Sequence, residues 1–470
     1  MRTRLLLPLL LMPFPAVAAE MDGASLSLLW GLPFAAILLS IALGPLLFSH
    51  MWHHHFGKIT AFWTALFLIP FVSVFGMHAG IHTVVHALLE EYVPFILLIL
   101  ALYTISGGIY VFGDLRGTPK LNTALLATGT LLASVMGTTG AAMLMIRPLL
   151  KANHHRHYRV HIVVFFIFLV ANIGGGLTPL GDPPLFLGFL KGVDFMWTVE
   201  HMLTPVLISM AVLLTVFFLI DSFYTKREKR ENLNAPQREC SERIRIYGKW
   251  NFLLLAGVVA TVLFSGLWHP QHPGFEVAGV TVALPSLVRD VVLLVLTVVS
   301  LLITPKQVRA GNDFNFEPIM EVGKLFLGIF ITIAPVLAIL KAEEAGALAG
   351  VVSLVHDAAG NPINAMYFWM SGLLSGFLDN APTYLVFFNM AGGNAQELMS
   401  GPLFHSLLAI SMGSVFMGAL TYIGNAPNFM VKAIAEQTGV DMPTFFGYML
   451  WSALILLPLF ALHTLIFFIL

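Results

Sequence analysis

The sequence of 470 residues has few charged side chains and only one cysteine. Charged residues make up 10% of the chain and hydrophobic residues 58%, and the mean hydropathy is +0.86. A water-soluble domain cannot bury so much apolar surface, so the composition indicates a membrane protein. The lone Cys240 excludes an internal disulfide and a Cys-x-x-Cys metal or redox site. The net charge of −1 gives no basis for nucleic-acid binding.

The first twenty residues have the three parts of a secretory signal. A basic start is followed by a short apolar run and then by small residues. We predict a signal peptide over 1–19, with cleavage near Ala18 or Ala19 that leaves the mature N-terminus outside. The alternative is an uncleaved first helix, but the apolar run is interrupted by Pro8 and Pro13 and is shorter than the ~20 residues that cross a bilayer.

About ten apolar runs are long enough to cross a membrane. They are 27–48, 58–76, 92–113, 158–190, 200–223, 250–267, 286–304, 320–340, 403–435 and 443–470. Two further segments, 121–150 and 363–392, have polar residues, glycine and proline near their centres, which favours re-entrant hairpins over spans. We therefore predict an all-α polytopic membrane protein with about ten transmembrane helices and two re-entrant hairpins.

Lysine and arginine cluster in the stretches 147–159 and 226–249. Short loops rich in these residues stay on the cytoplasmic side, and counting spans from an external N-terminus places both stretches there. The first hairpin then enters the membrane from the cytoplasm and the second from outside. The predicted location is a bacterial inner membrane that the chain crosses several times.

Two pairs of segments repeat at nearly the same spacing. Residues 176–186 match 419–429 at a spacing of 243, and residues 131–139 align with 373–381 at a spacing of 242. Membrane segments rich in Gly, Thr and Pro can look alike by composition alone, but two matches at one spacing favour a duplication. Because the two hairpins enter from opposite sides, the repeats are inverted.

The duplication predicts the organisation of the whole chain. It consists of N-terminal helices 20–89, a first inverted repeat 90–224 with hairpin 121–150 and broken helix 158–190, a cytoplasmic loop 225–249, connecting helices 250–319, and a second inverted repeat 320–470 with hairpin 363–392 and broken helix 403–435.

Each repeat contains a helix that cannot continue through the membrane, because proline removes a backbone donor and glycine weakens a helix. An unpaired backbone group in hydrocarbon costs several kcal/mol, so something polar must satisfy it. Paired interruptions in two halves are the best sequence indication of a central site. The predicted helix-breaking residues are Gly175, Gly176, Pro179, Gly181, Pro183, Pro184, Pro382 and Pro427.

Asp379 is the strongest candidate for the centre of this site, because an ionisable group inside a membrane is costly and usually functional. Burial favours its protonated form and a bound cation favours its ionised form, so proton and cation compete for it. The alternative is a helix cap that accepts backbone N–H bonds, and capping can coexist with ion binding. For Asp182, which precedes Pro183, capping and ion ligation are equally open.

The other predicted cation- or proton-binding residues lie at the hairpin tips and the helix breaks. Their hydroxyl, amide and carbonyl oxygens suit a hard cation such as sodium, although Thr also bonds to its own helix backbone. With Asp379 and Asp182, the set is Gly137, Thr138, Thr139, Thr178, Asn380, Thr421, Gly424 and Asn425, with Na⁺ as the candidate metal at Asp379.

Histidines lie in two further places. His78, His82, His86 and Glu90 are spaced by four and share one helical face. An interfacial helix with a polar stripe is the plainer explanation, and metal binding or pH sensing is the alternative. The stretch 154–157, which contains three histidines and one arginine, is predicted to face lipid headgroups at the inner boundary.

The hairpin with Asp379, Asn380 and Pro382, the broken segment 178–184 and the inverted duplicate together resemble the ion transporter superfamily. The resemblance covers about 90–470 and is strongest to NhaD-type sodium/proton antiporters and CitMHS-type citrate transporters, especially the branch labelled "putative citrate transport". It implies a scaffold domain and a transport domain that moves like an elevator, commonly in a homodimer. In NhaD-like members an Asp-Asn motif that matches Asp379 and Asn380 is tied to cation exchange.

Dicarboxylate members of the superfamily carry Ser-Asn-Thr at both hairpin tips, which this chain lacks. A fixed carboxylate at a tip would repel citrate or succinate. The resemblance therefore implies a secondary transporter that exchanges sodium, or lithium, for protons, with no enzyme activity and no cofactor beyond the transported ions. The predicted partners are small ions and the lipid bilayer, and nucleic acid is not expected.

Two alternatives to this antiporter are considered. The first is a sodium- or proton-coupled transporter of citrate or another carboxylate. The second is an intramembrane aspartyl protease that uses Asp182 and Asp379, but Pro179 interrupts its usual Gly-x-Gly-Asp motif and it leaves the duplication unexplained. A zinc protease is excluded because the His-Glu-x-x-His motif is absent.

Overall fold

A computed structural model describes residues 21–113, 115–231, 245–270 and 274–470 of the chain. The predicted signal peptide, 1–19, and Cys240 lie outside these residues. Within them the chain is mainly α-helical, with two small two-stranded sheets. The prediction of an all-α polytopic membrane protein is confirmed.

The elements up to the middle of the chain include three N-terminal helices, the first hairpin and the first broken helix. They are α1 Leu32–Leu47, α2 Ser49–His86, α3 Val93–Ser106, β1 Tyr110–Phe112, α4 Pro119–Met136, α5 Thr138–Ala152, α6 Val160–Leu169, α7 Pro183–Leu190, α8 Phe195–Glu231, β2 Arg245–Tyr247 and α9 Trp250–Leu267. A π-helical turn, Ala87–Tyr92, joins α2 to α3, and a 3₁₀ turn, Ile173–Leu177, follows α6.

The remaining elements contain the second hairpin and the second broken helix. They are β3 Gly274–Val277, β4 Val280–Ala283, α10 Leu284–Ile303, α11 Lys306–Gly311, α12 Glu317–Thr332, α13 Ala334–Lys341, α14 Ala349–Val352, α15 Asn364–Phe377, α16 Asn380–Met390, α17 Ala395–Ser400, α18 Phe404–Phe416, α19 Ala426–Gln437 and α20 Phe445–Thr464. A 3₁₀ turn, Met417–Leu420, follows α18.

Seven helices of the described residues are long and apolar enough to cross a membrane, and the pair α12–α13, bent by 42°, is an eighth. One of the seven, His54–Ser106, is 53 residues long, which exceeds the length of a single ~30 Å crossing. This stretch has room for two crossings, and Phe404–Leu420 is a shorter apolar helix. The total of about ten spans stays a prediction.

The two broken helices have the same backbone path. In each, a helix ends in a 3₁₀ turn, an extended threonine follows, and an extended residue precedes the second half-helix. The φ and ψ angles are −137° and 159° at Thr178 and −135° and 169° at Thr421. They are −143° and 144° at Asp182 and −151° and 139° at Asn425. Equivalent positions of the two sequence repeats therefore have equivalent conformations.

The predicted loop 225–249 begins later in the structure, because α8 continues to Glu231. Its last turns are stabilised as helix by a pair spaced four residues apart, Arg227 with Glu231, at 3.0 Å. After the undescribed residues 232–244, the chain returns as β2, which pairs antiparallel with β1.

A buried ionic cluster holds the base of the first hairpin against α6 and α8. The Arg156 guanidinium contacts Glu228 at 2.6 Å and Asp221 at 2.9 Å, and its side chain is only 1% exposed. His161 also contacts Asp221, at 2.9 Å, and Asn122 of α4 donates to the same carboxylate. The prediction that the stretch 154–157 faces headgroups is therefore wrong for Arg156, because two buried carboxylates draw its side chain inward.

Replacing Arg156 with Met is expected to destabilise the protein by about 3–5 kcal/mol, because two buried carboxylates lose their cation. Thermal unfolding of the detergent-solubilised protein measures the change. The matched control is Arg227→Met in α8, where the ion pair with Glu231 is partly exposed and its loss is expected to leave the melting temperature almost unchanged. Equal melting temperatures for the two variants would contradict the structural role of the cluster.

Candidate functional site

The tip of each hairpin is bonded to the break of the helix in its own repeat. In the first repeat the hydroxyl of Thr178 donates to the carbonyl of Ser134 at 2.5 Å. In the second, the hydroxyl of Thr421 donates to the carbonyl of Gly376, also at 2.5 Å. Each threonine oxygen also accepts a backbone N–H two residues further on. These two hydroxyls, predicted as cation ligands, fasten hairpin to broken helix.

Asp182 lies where the two repeats meet and accepts hydrogen bonds from three side chains. Its Oδ1 accepts from the hydroxyl of Thr138 at 3.0 Å and from the amide of Asn425 at 3.1 Å. Its Oδ2 accepts from the amide of Asn380 at 2.5 Å. All four residues are at most 4% exposed. Both repeats thus supply the polar environment of one carboxylate.

The four residues are two pairs of equivalent positions in the duplication. Asp182 and Asn425 differ by 243 in number, and Thr138 and Asn380 differ by 242, which are the spacings of the sequence repeats. The equivalent break residues contact each other directly, and the equivalent tip residues both donate to Asp182. The site is therefore formed by equivalent positions of the two repeats.

Asp379 has a different environment from the one expected of a central ligand. Its side chain accepts the backbone N–H of Ala381 at 3.1 Å and so caps α16. Asp182 precedes α7 in the same way, but its side chain makes no capping bond. Asp379 directly precedes Asn380, whose amide donates to Asp182. The side chains of Thr138 and Asn380, predicted to complete a cation site at Asp379, therefore contact Asp182.

The prolines near the site lie in the first turns of half-helices, where a missing N–H is tolerated. Pro183 and Pro184 begin α7, Pro427 lies in the first turn of α19, and Pro382 lies in that of α16. Pro179 lies in a turn between the 3₁₀ turn and α7, closed by the N–H of Gly181 donating to the carbonyl of Thr178 at 3.0 Å. These residues start new helices at the centre of the protein, so each break exposes a helix N-terminus there.

Two asparagines behind Asp182 form a second polar layer that joins the breaks. The amide of Asn172 donates to the side-chain oxygen of Asn428 at 2.8 Å, and Asn428 donates to the carbonyls of Gly418 and Thr421, both at 2.9 Å. Both asparagines are fully buried. Asn428 was not predicted, although an amide three residues after Asn425 in an otherwise apolar segment is a signal that could have identified it.

A cavity of about 50 Å³ lies between α3, the first hairpin tip and the first break. It is lined by Gly137, Thr138, Thr139 and Asp182 from the site and by apolar side chains of α3. Gly137 has φ +78°, a conformation that favours glycine, and this allows the tip to turn toward the cavity. The space suffices for an ion or a few waters and is far below the volume of pockets that hold organic ligands.

Glycines bring the backbone of the second break close to its hairpin. A Cβ built on Gly424 would lie 2.5 Å from the carbonyl oxygen of Gly418 and 2.9 Å from those of Ser375 and Gly376. Only glycine allows this approach, so three carbonyl oxygens converge beside the break.

No cationic side chain of the described residues forms an ion pair with Asp182 or Asp379. The same part of the chain also has no group of three His, Cys, Asp or Glu side chains that could hold a metal. In the histidine row, His86 pairs with Glu90 at 3.0 Å, and both side chains are partly exposed.

Comparisons with known proteins place the chain among membrane transporters. The model of the family described as "Putative citrate transport" matches residues 23–468. The chain is 26% identical over 339 residues to an uncharacterized transporter of Mycobacterium tuberculosis, covering 70% of this chain and 72% of that protein. It is 25% identical over 336 residues to a 46 kDa membrane protein of Mycobacterium leprae, with 70% and 72% coverage.

Replacing Gly175 with Ala is expected to distort the site, because the new Cβ would lie 2.7 Å from Thr138 Cγ2 and 2.8 Å from Asp182 Cβ. Overpacking of this kind costs about 1–3 kcal/mol, which thermal unfolding in detergent can resolve. Gly350→Ala is the control, since a Cβ there meets nothing within 4 Å, and its stability should not fall. A Gly175→Ala protein as stable as wild type would show that the tip and the break do not pack as described.

Proposed function

The chain belongs to the "Putative citrate transport" family, and from this premise we propose that it exchanges a monovalent cation, sodium or lithium, for protons. Secondary transport agrees with the family and with the names of its mycobacterial relatives. The single observation that supports cation exchange is Asp182, a buried carboxylate with three neutral donors and no cationic partner among the described residues.

A buried carboxylate without a cation is stable in only two ways. It takes up a proton and becomes neutral, or it binds a metal ion, because an uncompensated charge in the membrane interior costs several kcal/mol. Since the same oxygens serve in both states, the proton and the cation exclude each other. This competition is the elementary requirement for exchange.

The neighbours of Asp182 suit both states. Thr138 has a hydroxyl that donates in one orientation and offers lone pairs in another, and the amides of Asn380 and Asn425 carry an oxygen as well as an NH₂ group. With a proton on Asp182 these groups can hydrogen-bond to the neutral carboxyl. With a cation present, a rotated hydroxyl and the amide oxygens can serve as its further ligands, as hard cations prefer oxygen.

Asp379 contributes negative charge beside the site. Its carboxylate caps α16 one residue before Asn380, which donates to Asp182. Two neighbouring carboxylates are difficult to keep ionised together unless a cation lies near both. We therefore assign Asp182 as the ligand that exchanges proton for cation and Asp379 as the group that raises the attraction for the cation.

Citrate transport coupled to sodium or protons is the second candidate, favoured by the description of the family. The N-termini of α5, α7, α16 and α19 meet at the site, and helix N-termini attract carboxylates. Two of these termini already have a carboxylate of the chain itself, Asp182 and Asp379. The adjoining cavity of about 50 Å³ is also too small for a tricarboxylate, so the geometry favours a bare cation.

The remaining features of the proposal follow from the resemblance and the charge pattern. The protein would lie in a bacterial inner membrane, with β1, β2 and the base of the first hairpin at the cytoplasmic side. A homodimer in which the hairpins and broken helices move against α1–α3 and α9–α12 is the expected assembly.

Proteoliposomes with an imposed pH gradient test the proposal. Adding sodium or lithium should dissipate the gradient for wild type, potassium should do so less, and sodium-driven uptake of radiolabelled citrate should be absent. Asp182→Asn is expected to abolish exchange, whereas Asp379→Asn should retain it with a several-fold higher sodium KM. Exchange that persists in Asp182→Asn would contradict the assignment, and citrate uptake would favour the second candidate.

Adjacent threonines provide a matched pair of variants at the hairpin tip. Thr138→Val removes a hydroxyl that contacts Asp182, so sodium KM should rise about fivefold, which corresponds to a net hydrogen bond of ~1 kcal/mol. Thr139→Val removes a hydroxyl that also lines the cavity but makes no contact with Asp182 in the described structure, and it should have a smaller effect. Equal effects would show that Thr138 has no special place in the site.

A further inference from the structure

A second and larger cavity, of about 340 Å³, lies at the base of the first hairpin, remote from the tip. It is bordered by β1, the end of α5, the end of α11 and the turn after α19. Its size falls within the range of pockets that bind small organic molecules. The charge rule places this side of the protein in the cytoplasm.

Cationic side chains dominate the polar lining of this basal cavity. Arg147, Lys151 and Arg159 line it together with His154. No Asp or Glu is among the lining residues that the structure describes. Three positive charges at one cavity without an acidic side chain in its described wall create a strong attraction for an anion.

These cations are only weakly engaged by the protein itself. Arg147 contacts Asp313 at 3.0 Å, but that carboxylate is 76% exposed, so the pair is weak. The Lys151 ammonium lies 4.8 Å from the centre of the Phe112 ring, and Arg159 donates to the carbonyl of Gly439 at 2.5 Å. Lys151 and Arg159 thus have no carboxylate partner in the described part of the chain.

The rest of the wall is apolar and partly aromatic, with Tyr110, Phe112, Leu115 and Leu150 among its residues. A ligand that fits must combine a compact anion of high charge with an apolar or flat remainder. Arginine and lysine together are typical of phosphate recognition, since guanidinium binds phosphate oxygens in pairs. A carboxylate offers only two oxygens to the same three cations.

We infer that the basal cavity binds a phosphate group, carried either by an anionic lipid headgroup of the inner leaflet or by a free phosphate compound of the cytoplasm. The phosphate would contact Lys151 and Arg159, and the apolar wall would receive the adjoining part of the molecule. The cavity is lined by both α5 and β1, so such a ligand would join the base of the hairpin to β1. The same helix, α5, carries Arg147 and Lys151 near this end and Thr138 at the other. The inference does not depend on which ion the protein transports.

Two probes distinguish the sources of the phosphate. Native mass spectrometry measures retention of phosphatidylglycerol against phosphatidylcholine from mixed micelles, and calorimetry measures binding of inorganic pyrophosphate. The double variant Lys151→Gln with Arg159→Gln is expected to bind the effective probe roughly 30-fold more weakly, since each basic residue near an anionic surface contributes about fivefold. Site-dependent binding of phosphatidylglycerol identifies a lipid, and that of pyrophosphate a soluble compound.

Two control variants make the outcome decisive. Lys229→Gln with Lys306→Gln removes two exposed charges outside the cavity and should leave binding unchanged. Lys151→Arg with Arg159→Lys keeps the charges and should retain most of it. Asp114 lies between the lining residues Gly113 and Leu115 in the sequence but outside the residues that the structure describes. It is left unchanged in every variant. The inference is overturned when neither probe distinguishes wild type from the cavity variant, or when the Lys229 and Lys306 variant loses as much binding.

Discussion

The rest of this structure depends on a carboxylate that is buried between two repeats, with neutral donors and, among the described residues, no positive side chain paired with it. The three hydrogen bonds to Asp182 reduce the cost of its burial but do not neutralise its charge. The surrounding backbone is interrupted in both repeats, and these interruptions would be costly in the membrane without polar partners. The tips, the breaks and the layer of Asn172 and Asn428 together supply those partners.

The two repeats share one backbone arrangement. Their side chains differ at the positions that form the site. Equivalent threonines fasten each hairpin to its broken helix at 2.5 Å. At the positions that face each other, however, the first repeat has Asp182 where the second has Asn425. At the tips the second repeat has Asp379 where the first has Gly137. The near-symmetric backbone therefore carries an asymmetric distribution of charge, with one carboxylate lining the cavity and the other capping a helix.

Much of the architecture was accessible from composition and spacing. The apolar runs predicted the crossings, and the interrupted segments predicted where α4–α5 and α15–α16 turn and where α6 and α18 end. These features are local, because a proline or glycine acts on its own backbone. The sequence analysis placed Asp379 at the centre and could not foresee the donors to Asp182, since both aspartates precede a half-helix and both could cap it. Which side chain turns back to its own helix depends on donors that lie 44 to 243 residues away in the chain.

The inward position of Arg156 and the role of Asn428 were missed for the same reason. Arg156 lies in a stretch with three histidines that looks like an exposed boundary, and its partner Glu228 is 72 residues further along the chain. Ionic and amide networks have no periodic signature in one sequence, so the partners of these two side chains become visible only in three dimensions.

The central claim, that one carboxyl group of Asp182 holds either a proton or a cation, can be observed without measuring transport. Infrared difference spectroscopy of the purified protein records the C=O band of a protonated carboxylic acid before and after sodium is added. The account predicts that sodium removes this band in wild type and that Asp182→Asn lacks the sodium-sensitive band. A band that sodium leaves unchanged, or that still responds to sodium in Asp182→Asn, would contradict it.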